Sequence, residues 1–251
     1  MKASNVPLTT QGRPWPSGPP PWIMRQTWRE LLFAHWPVRP EALRPYVPSV
    51  FPLDTWEGEA WLGIVPFRVS GARVRLLPPI PGMSAFPELN VRTYITLNGK
   101  PGVYFFSLDA ANALVVTMAR LLYRSPYRFA AMNVSRGDSG AVLYASRLPG
   151  KESIRFEASY RPVSEVYHAE PGSLEHWLTE RYCLYTLSAR REPLRCDIDH
   201  PPWPLRKAEA EIVHNTMAAG LGLLLPPDPP PLLHYAEVQH VSIWPLVKAD
   251  R

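Results

Sequence analysis

Proline most constrains how this chain can fold, because 31 of its 251 residues are prolines spread along its whole length. A proline inside a helix removes a backbone hydrogen bond and clashes with the preceding turn, so long uninterrupted helices are disfavoured. Runs of strand-forming residues bounded by turn residues recur between the prolines. The sequence therefore predicts many short elements in a mainly β (α+β) protein, an antiparallel barrel or bent sheet with a few short helices.

The length allows one large domain or two small ones, and no linker-like stretch divides the middle of the chain. We predict a single domain over residues 22–251. Residues 1–21 end in a proline-rich run and are predicted to form a flexible N-terminal tail. The N-terminus lacks the apolar core of a signal peptide, and no run reaches the roughly 18 apolar residues of a membrane span. We expect a soluble cytoplasmic protein whose two cysteines, Cys183 and Cys196, are unreacted core thiols.

Charge and motif content narrow the range of partners. The formal net charge is +5, but the excess arginines are scattered, whereas a nucleic-acid interface requires clustered basic residues. The seven histidines show no zinc-ligand spacing, and no Gly-x-Ser-x-Gly nucleophile motif occurs. We therefore expect no metal, no cofactor, no nucleic acid and no membrane, while a homo-oligomer stays open.

Residues 88–95 carry the polar side chains that most suggest a functional site. Side chains in a strand alternate between its two faces. Glu88, Asn90, Arg92 and Tyr94 therefore share one face, and the residues between them share an apolar face that suits a core. The polar face either meets water or lines a polar cavity.

Two helices are predicted from capping signals. Asp109 precedes residues 110–123 and Ser173 precedes residues 174–181, and both side chains can accept hydrogen bonds from free N–H groups at a helix start. Pro126 bounds the first helix, since the residue before a proline is disfavoured in helical conformation.

Five motifs, in order along the chain, resemble the YqjF-like family of uncharacterised bacterial proteins. They lie at residues 28–37, 88–94, 106–110, 178–182 and 200–205. The resemblance covers residues 22–246, which is most of the chain. That family has no settled function to carry over, so it implies a fold but not an activity.

A more distant resemblance links residues 29–48 and 86–128 to acetoacetate decarboxylase. In that enzyme an arginine leads to a Pro-Lys-Lys sequence, whose first lysine forms a Schiff base with a keto acid and is activated by the second. Here Arg120 leads at the same spacing to Pro-Tyr-Arg at residues 126–128. The family's pocket glutamate and pocket arginine fall on Glu88 and Arg29. Tyr127 replaces the lysine and cannot form an imine, so the resemblance implies a barrel with a pocket but not a Schiff-base decarboxylase.

We predict Glu88 as the catalytic candidate. The predicted ligand-binding residues are Arg29, Asn90, Arg92, Tyr94, Phe106, Arg120 and Tyr127. The favoured function is binding of a small organic acid or carbonyl compound, since arginine matches a carboxylate through two parallel hydrogen bonds. Two alternatives stay open. One is an enzyme of lyase or hydrolase type, with Glu88 as acid or base and Arg29 or Arg92 as anion clamp. The other is a protein-interaction module that uses the proline-rich tail.

Overall fold

The computed structural model describes residues 13–16, 21–225 and 231–249. Strands dominate this part of the chain. In chain order they are β1 Met24–Val38, β2 Ala60–Val74, β3 Phe86–Leu97, β4 Lys100–Ala110, β5 Tyr127–Phe129, β6 Ala131–Arg136, β7 Val142–Leu148, β8 Lys151–Pro162, β9 Cys183–Leu187, β10 Pro193–Asp199, β11 Arg206–Asn215 and β12 Leu232–Lys248. The helices are α1 Pro40–Leu43, α2 Ala113–Tyr123 and α3 Leu174–Thr179, and 3-10 turns occur at Arg44–Tyr46 and Ala219–Leu221.

The strands form one sheet that bends back on itself. Its neighbours run β1-β2-β3-β4-β9-β10-β12, and β12 pairs again with β1, so hydrogen bonding passes around a ring. From β12 the sheet continues outward through β11, β8, β7 and β6, which we call the wing. Most pairs are antiparallel, but β4 pairs in parallel with β5 and with β9.

The predicted fold class, a mainly β protein with a bent sheet and few helices, is confirmed. Two details differ: the sheet is mixed, and the prediction of short elements is wrong for the longest strands, since β12 spans 17 residues. Strands tolerate proline where the hydrogen-bond ladder is interrupted. Pro245 shows this, because the register of β12 against β10 shifts between Ile243 and Leu246.

Alternation along the ring strands separates two apolar layers. In β1, Leu32 and Ala34 belong to a cluster that packs the ring against the wing, together with Tyr144 and Phe156. The intervening Phe33 belongs to a second cluster inside the ring. A strand buried on both faces reads as a nearly continuous apolar run, and this is why the second half of β1, from Leu31 onward, shows little polar alternation.

Both predicted helices are present, with one change of cap. The first begins at Ala113 and is capped by Asn112, whose side chain accepts from the N–H groups of Leu114 and Val115. The predicted cap Asp109 instead lies in β4, because that strand extends to Ala110. The second helix is capped by Ser173 as predicted.

The predicted flexible tail and the interaction module based on it lie mostly outside the described residues. Within the described segment 13–16, the Arg13 side chain is buried against β10. Its Nη1 donates to the Ile198 carbonyl at 3.0 Å, and its guanidinium lies 3.5 Å from Asp197 and 3.4 Å from Asp199. None of the helices in the described part of the chain combines the length and the apolar character that a membrane-spanning helix requires.

Candidate functional site

A cavity of about 250 Å³ lies inside the ring, where the inward face of β3 meets the second apolar cluster. Its walls come from β1, β2, β3, β4 and β10, and its outer part is lined by α2 and residues 72–83. Most of the lining is apolar. The charged lining residues are Arg73, Glu88, Arg92 and Arg181.

The polar side chains on the wall come from consecutive inward positions of β3. Glu88, Asn90 and Arg92 line the cavity, while Leu89 and Val91 pack into the cluster between ring and wing. The predicted alternation of side chains is therefore present at these positions of β3. The polar face formed by Glu88, Asn90 and Arg92 meets a cavity rather than bulk water. Strand β4 extends this inward face, since Leu108 pairs with Asn90 and Phe105 pairs with Arg92.

Glu88 is an acid buried in the wall of the cavity. Glu88 is 5% exposed, and burial is the main reason why the pKa of its carboxyl group rises to about 8. The nearby Asp109 charge raises this pKa as well, whereas the Tyr127 hydroxyl, 3.4 Å from Glu88 Oε2, lowers it. The backbone carbonyl of Glu88 accepts from the Tyr144 hydroxyl at 2.8 Å, which holds the strand in place. Glu88 is therefore mainly protonated at neutral pH and can donate a hydrogen bond.

Arg92 is a cation without a counterion among the described residues. It is 8% exposed, and its Nε and Nη2 atoms are buried without a hydrogen-bond partner in the described part of the chain. Its guanidinium carbon lies 5.2 Å from the Phe33 ring centroid and 5.6 Å from that of Tyr94. Asn90 Oδ1 is also buried and unpaired there. Burying a charge without a partner is costly, so this arrangement favours an anionic ligand.

Two uncharged side chains, those of Tyr94 and His35, lie next to Arg92 and do not compensate its charge. The Tyr94 hydroxyl lies 2.7 Å from His35 Nε2, and the pKa of His35 lies well below its ordinary value because of burial and the charge of Arg92. A Cβ on Gly63 would come within 3.1 Å of His35 and 3.3 Å of Arg92, so glycine makes room for both side chains. Tyr94 thus supports the wall from behind and does not line the cavity.

The acid next to Glu88 is already paired. Arg128 donates to both oxygens of Asp109, at 2.7 and 2.9 Å, and to Ser107 Oγ at 3.1 Å. In such a bidentate ion pair, two N–H groups of the guanidinium bind the two oxygens of one carboxylate. Arg128 is therefore committed to Asp109, and it does not line the cavity.

Besides Tyr94, three other predicted ligand-binding residues lie outside this cavity. Arg29 donates to Ser70 Oγ at 3.0 Å on the other side of β1, because Glu30 adopts a φ of 54° and interrupts the alternation. Phe106 is displaced by a register shift between β3 and β4, and Phe105 takes the inward position. Arg120 is exposed on α2, where its Nε donates to the Tyr127 carbonyl at 2.6 Å.

Some lining residues were not predicted. Arg181 lies at the end of α3, is paired with Asp54 at 2.7 Å, and reaches the cavity from far along the chain. Trp203 also lines it, and its indole N–H is buried without a partner among the described residues. The only sequence signal for either was membership of the motifs at 178–182 and 200–205. No group of His, Cys, Asp or Glu side chains suited to a metal ion is found in the part of the chain that the structure describes.

The sequence of this chain is similar to sequences of known proteins. Residues 25–240 match the DUF2071 family model, described as an uncharacterized conserved protein. The chain is 51% identical over 227 residues to the uncharacterized protein YqjF of Bacillus subtilis (strain 168). The aligned region covers 90% of this chain and 93% of that protein.

Two solved structures share the fold. One is the acetoacetate decarboxylase of Legionella pneumophila, with a TM-score of 0.62 and 11% identity over 100% of this chain and 98% of that one. The other is the enduracididine biosynthesis enzyme MppR complexed with pyruvate, with a TM-score of 0.60 and 15% identity over 99% and 98%. At these identities the likeness extends to the fold alone, and it confirms the acetoacetate decarboxylase-like fold that the resemblance implied. The family match and the relationship to YqjF show that this chain belongs to the DUF2071 family of uncharacterized conserved proteins.

Proposed function

We propose that this protein binds a small organic acid in the cavity inside the ring. The observation that carries the proposal is Arg92, a buried guanidinium on the cavity wall whose Nε and Nη2 have no partner among the described residues. A carboxylate would satisfy both donors and neutralise the charge of this buried side chain.

The neighbours of Arg92 suit such a ligand. Because Glu88 is held mainly protonated at neutral pH, it adds no negative charge to the cavity that would oppose a bound anion. Asn90 lies between them on the same face of β3 and supplies an amide group. The remaining walls are apolar, as is usual where a few polar groups orient a small molecule.

The fold comparison lends this proposal support of a general kind. MppR has been solved in complex with pyruvate, which is itself a small organic acid, on a fold similar to that of this chain. The residues that bind pyruvate there are not transferred to this chain.

Arg92→Leu tests the anion site. At about 100 times its dissociation constant, a bound acid should stabilise the wild-type protein by roughly 2.7 kcal/mol. The variant should lose that gain in a thermal-shift panel of monocarboxylates and matched amides. Leucine replaces an unpaired buried cation with an apolar side chain, so the variant should fold without loss of stability.

The exposed Arg190 provides the matched control, since Arg190→Leu removes the same charge at a position that does not line the cavity. That variant should keep the full ligand-induced stabilisation. Amides that stabilise the wild type as well as acids do, or acid binding that survives in Arg92→Leu, would contradict the proposal.

A second candidate is an enzyme of lyase or hydrolase type in which Glu88 transfers a proton. The observation in its favour is the raised pKa of Glu88, since an acid that titrates at about 8 can gain and lose a proton near neutral pH. Glu88→Gln separates the two candidates. It should abolish turnover of an acid that the wild type converts, whereas a pure binder should keep most of its affinity.

A further inference from the structure

The cavity changes in character from its inner end to its mouth. The polar groups Glu88, Asn90 and Arg92 are buried on the ring wall. Towards solvent, the lining consists of apolar side chains from residues 74–83 and from α2. Four of these side chains line the cavity and are also about half exposed: Leu77, Ile80, Met118 and Leu122.

Exposed apolar side chains that line a cavity mouth require an explanation, because a small polar acid held at Arg92 would leave them uncovered in water. We propose that the ligand is a monocarboxylic acid with an extended apolar body, with its carboxylate at Arg92 and its hydrocarbon part between α2 and residues 74–83. This inference rests on the proposed acid-binding function and specifies its ligand class.

The two walls of the mouth are connected, which makes a defined channel for such a body. The Asn112 side chain caps α2 and also donates to the Gly82 carbonyl, so the start of the helix is tied to the loop opposite. Burying each methylene of a hydrocarbon chain contributes enough free energy to raise affinity about fourfold. Binding should therefore depend on the length of the chain as well as on the charge.

The mouth also contains one cation, Arg73, which lines the cavity near its outer end. A dicarboxylic acid could place a second carboxylate there, so the test must distinguish one acid group from two. Octanoate and octanedioate have the same chain length and differ in that group.

Titration calorimetry with propanoate, butanoate, hexanoate and octanoate tests the inference at pH 7. Affinity should rise about fourfold for each methylene that enters the mouth, and the heat-capacity change should become more negative along the series. Octylammonium, which has the same tail and the opposite charge, should not bind. Octanedioate should bind at least tenfold more weakly than octanoate unless its second carboxylate reaches Arg73, because the apolar side chains of the mouth offer that charge no partner.

Two neighbouring leucines on α2 give a matched pair of variants. Leu122 lines the cavity and is 56% exposed, whereas Leu121 does not line it and is 72% exposed. Leu122→Gln should lower octanoate affinity several-fold and leave propanoate affinity unchanged. Leu121→Gln should change neither. Both positions are exposed, so neither variant is expected to unfold the protein.

The outcomes separate this inference from the proposed function. Equal affinities for propanoate and octanoate, unchanged octanoate binding in Leu122→Gln, or octanedioate binding as tight as that of octanoate would overturn the apolar-tail inference while acid binding stands. Failure of every monocarboxylate, or octanoate binding that persists in Arg92→Leu, would overturn the proposed function and this inference together.

Discussion

Arg92 and Glu88 lie on the same inward face of one strand, yet their surroundings leave one charged and the other mainly neutral. Arginine stays protonated even when buried, whereas a carboxylic acid escapes the cost of burial by keeping its proton. Two opposite charges at these positions would attract each other. A cation and a neutral acid on the same wall leave the cavity with a positive charge, which is the basis of the proposed anion site.

The protonation of Glu88 predicts how stability depends on pH. Its pKa is about 8 in the folded protein and near 4.5 when the chain is unfolded. The folded state therefore binds more protons between those values, and the Glu88 contribution to the free energy of unfolding should fall by about 1.4 kcal/mol per pH unit as pH rises from 4.5 to 8. In the Glu88→Gln variant, the free energy of unfolding should not show this decrease with rising pH.

Urea unfolding of wild type and variant across pH 5 to 9 measures the difference. Glu88→Gln should match the wild type at the acid end and become more stable towards pH 8. Glu211→Gln, at an exposed position, is the control and should follow the wild type throughout. A stability difference between Glu88→Gln and wild type that does not change with pH would rule out a raised pKa.

Tyr127 leads to a second prediction at the residue scale. No lysine is among the described residues that line the cavity, and Tyr127 lies beside Glu88 where the resemblance places the Schiff-base lysine. Borohydride reduction in the presence of pyruvate or acetoacetate should therefore leave the intact mass unchanged. Pyridoxal phosphate, which labels accessible lysines, serves as the control for the reduction step. A trapped keto-acid adduct on any lysine would refute the prediction.

At the scale of elements, α2 and the loop opposite depend on one side chain. Asn112 accepts from two N–H groups at the start of the helix and donates through Nδ2 to the Gly82 carbonyl. Asn112→Ala should remove both functions and cost about 1 kcal/mol of stability, as is typical for loss of a helix cap.

Asn112→Asp divides the two functions, since a carboxylate still caps the helix but cannot donate to Gly82. We expect Asn112→Asp to retain most of the stability in urea unfolding, and to lose the tie between helix and loop. Backbone hydrogen exchange of residues 74–83 should then be faster in both variants than in the wild type. Exchange at wild-type rates in Asn112→Asp would show that the Gly82 contact does not order the loop.

At the scale of the whole molecule, the ring depends on a short parallel contact between β4 and β9. The two strands pair only over Val103 with Leu184 and Tyr104 with Tyr185 among the described residues. A Cβ on Gly102 would lie 2.6 Å from Cys183 Sγ and 2.7 Å from the Cys183 carbonyl oxygen. The absence of a side chain at Gly102 therefore lets the two strands approach.

Gly102→Ala should destabilise the protein by roughly 1–3 kcal/mol, the usual cost of overpacking a tight site, and the cost is greater where backbone must move. Gly220→Ala is the control, since a Cβ there meets no atom within 4 Å and Gly220 has no positive φ. Thiol labelling gives a second readout, because Cys183 is buried at this contact and should react faster once the contact loosens. Equal stability of the two variants would contradict this account of the ring.

Local patterns in the sequence were enough to determine several features of this protein. The mainly β class followed from prolines and strand-forming runs, the alternation of β3 grouped Glu88, Asn90 and Arg92, and Ser173 marked a helix start. Each of these depends on residues close together in the chain, where periodicity and capping act directly. The family resemblance then implied the fold that the comparison structures confirm.

Tertiary structure alone decided which polar residues meet in the cavity. Arg29 and Phe106 were placed outside it by register shifts in β1 and β4, and such a shift depends on how a partner strand pairs. Arg181 and Trp203 were brought to the wall from about a hundred residues beyond β3, by the closure of the ring. A one-residue shift reverses the faces of a strand, and closure joins segments remote in sequence, so neither can be deduced from local periodicity.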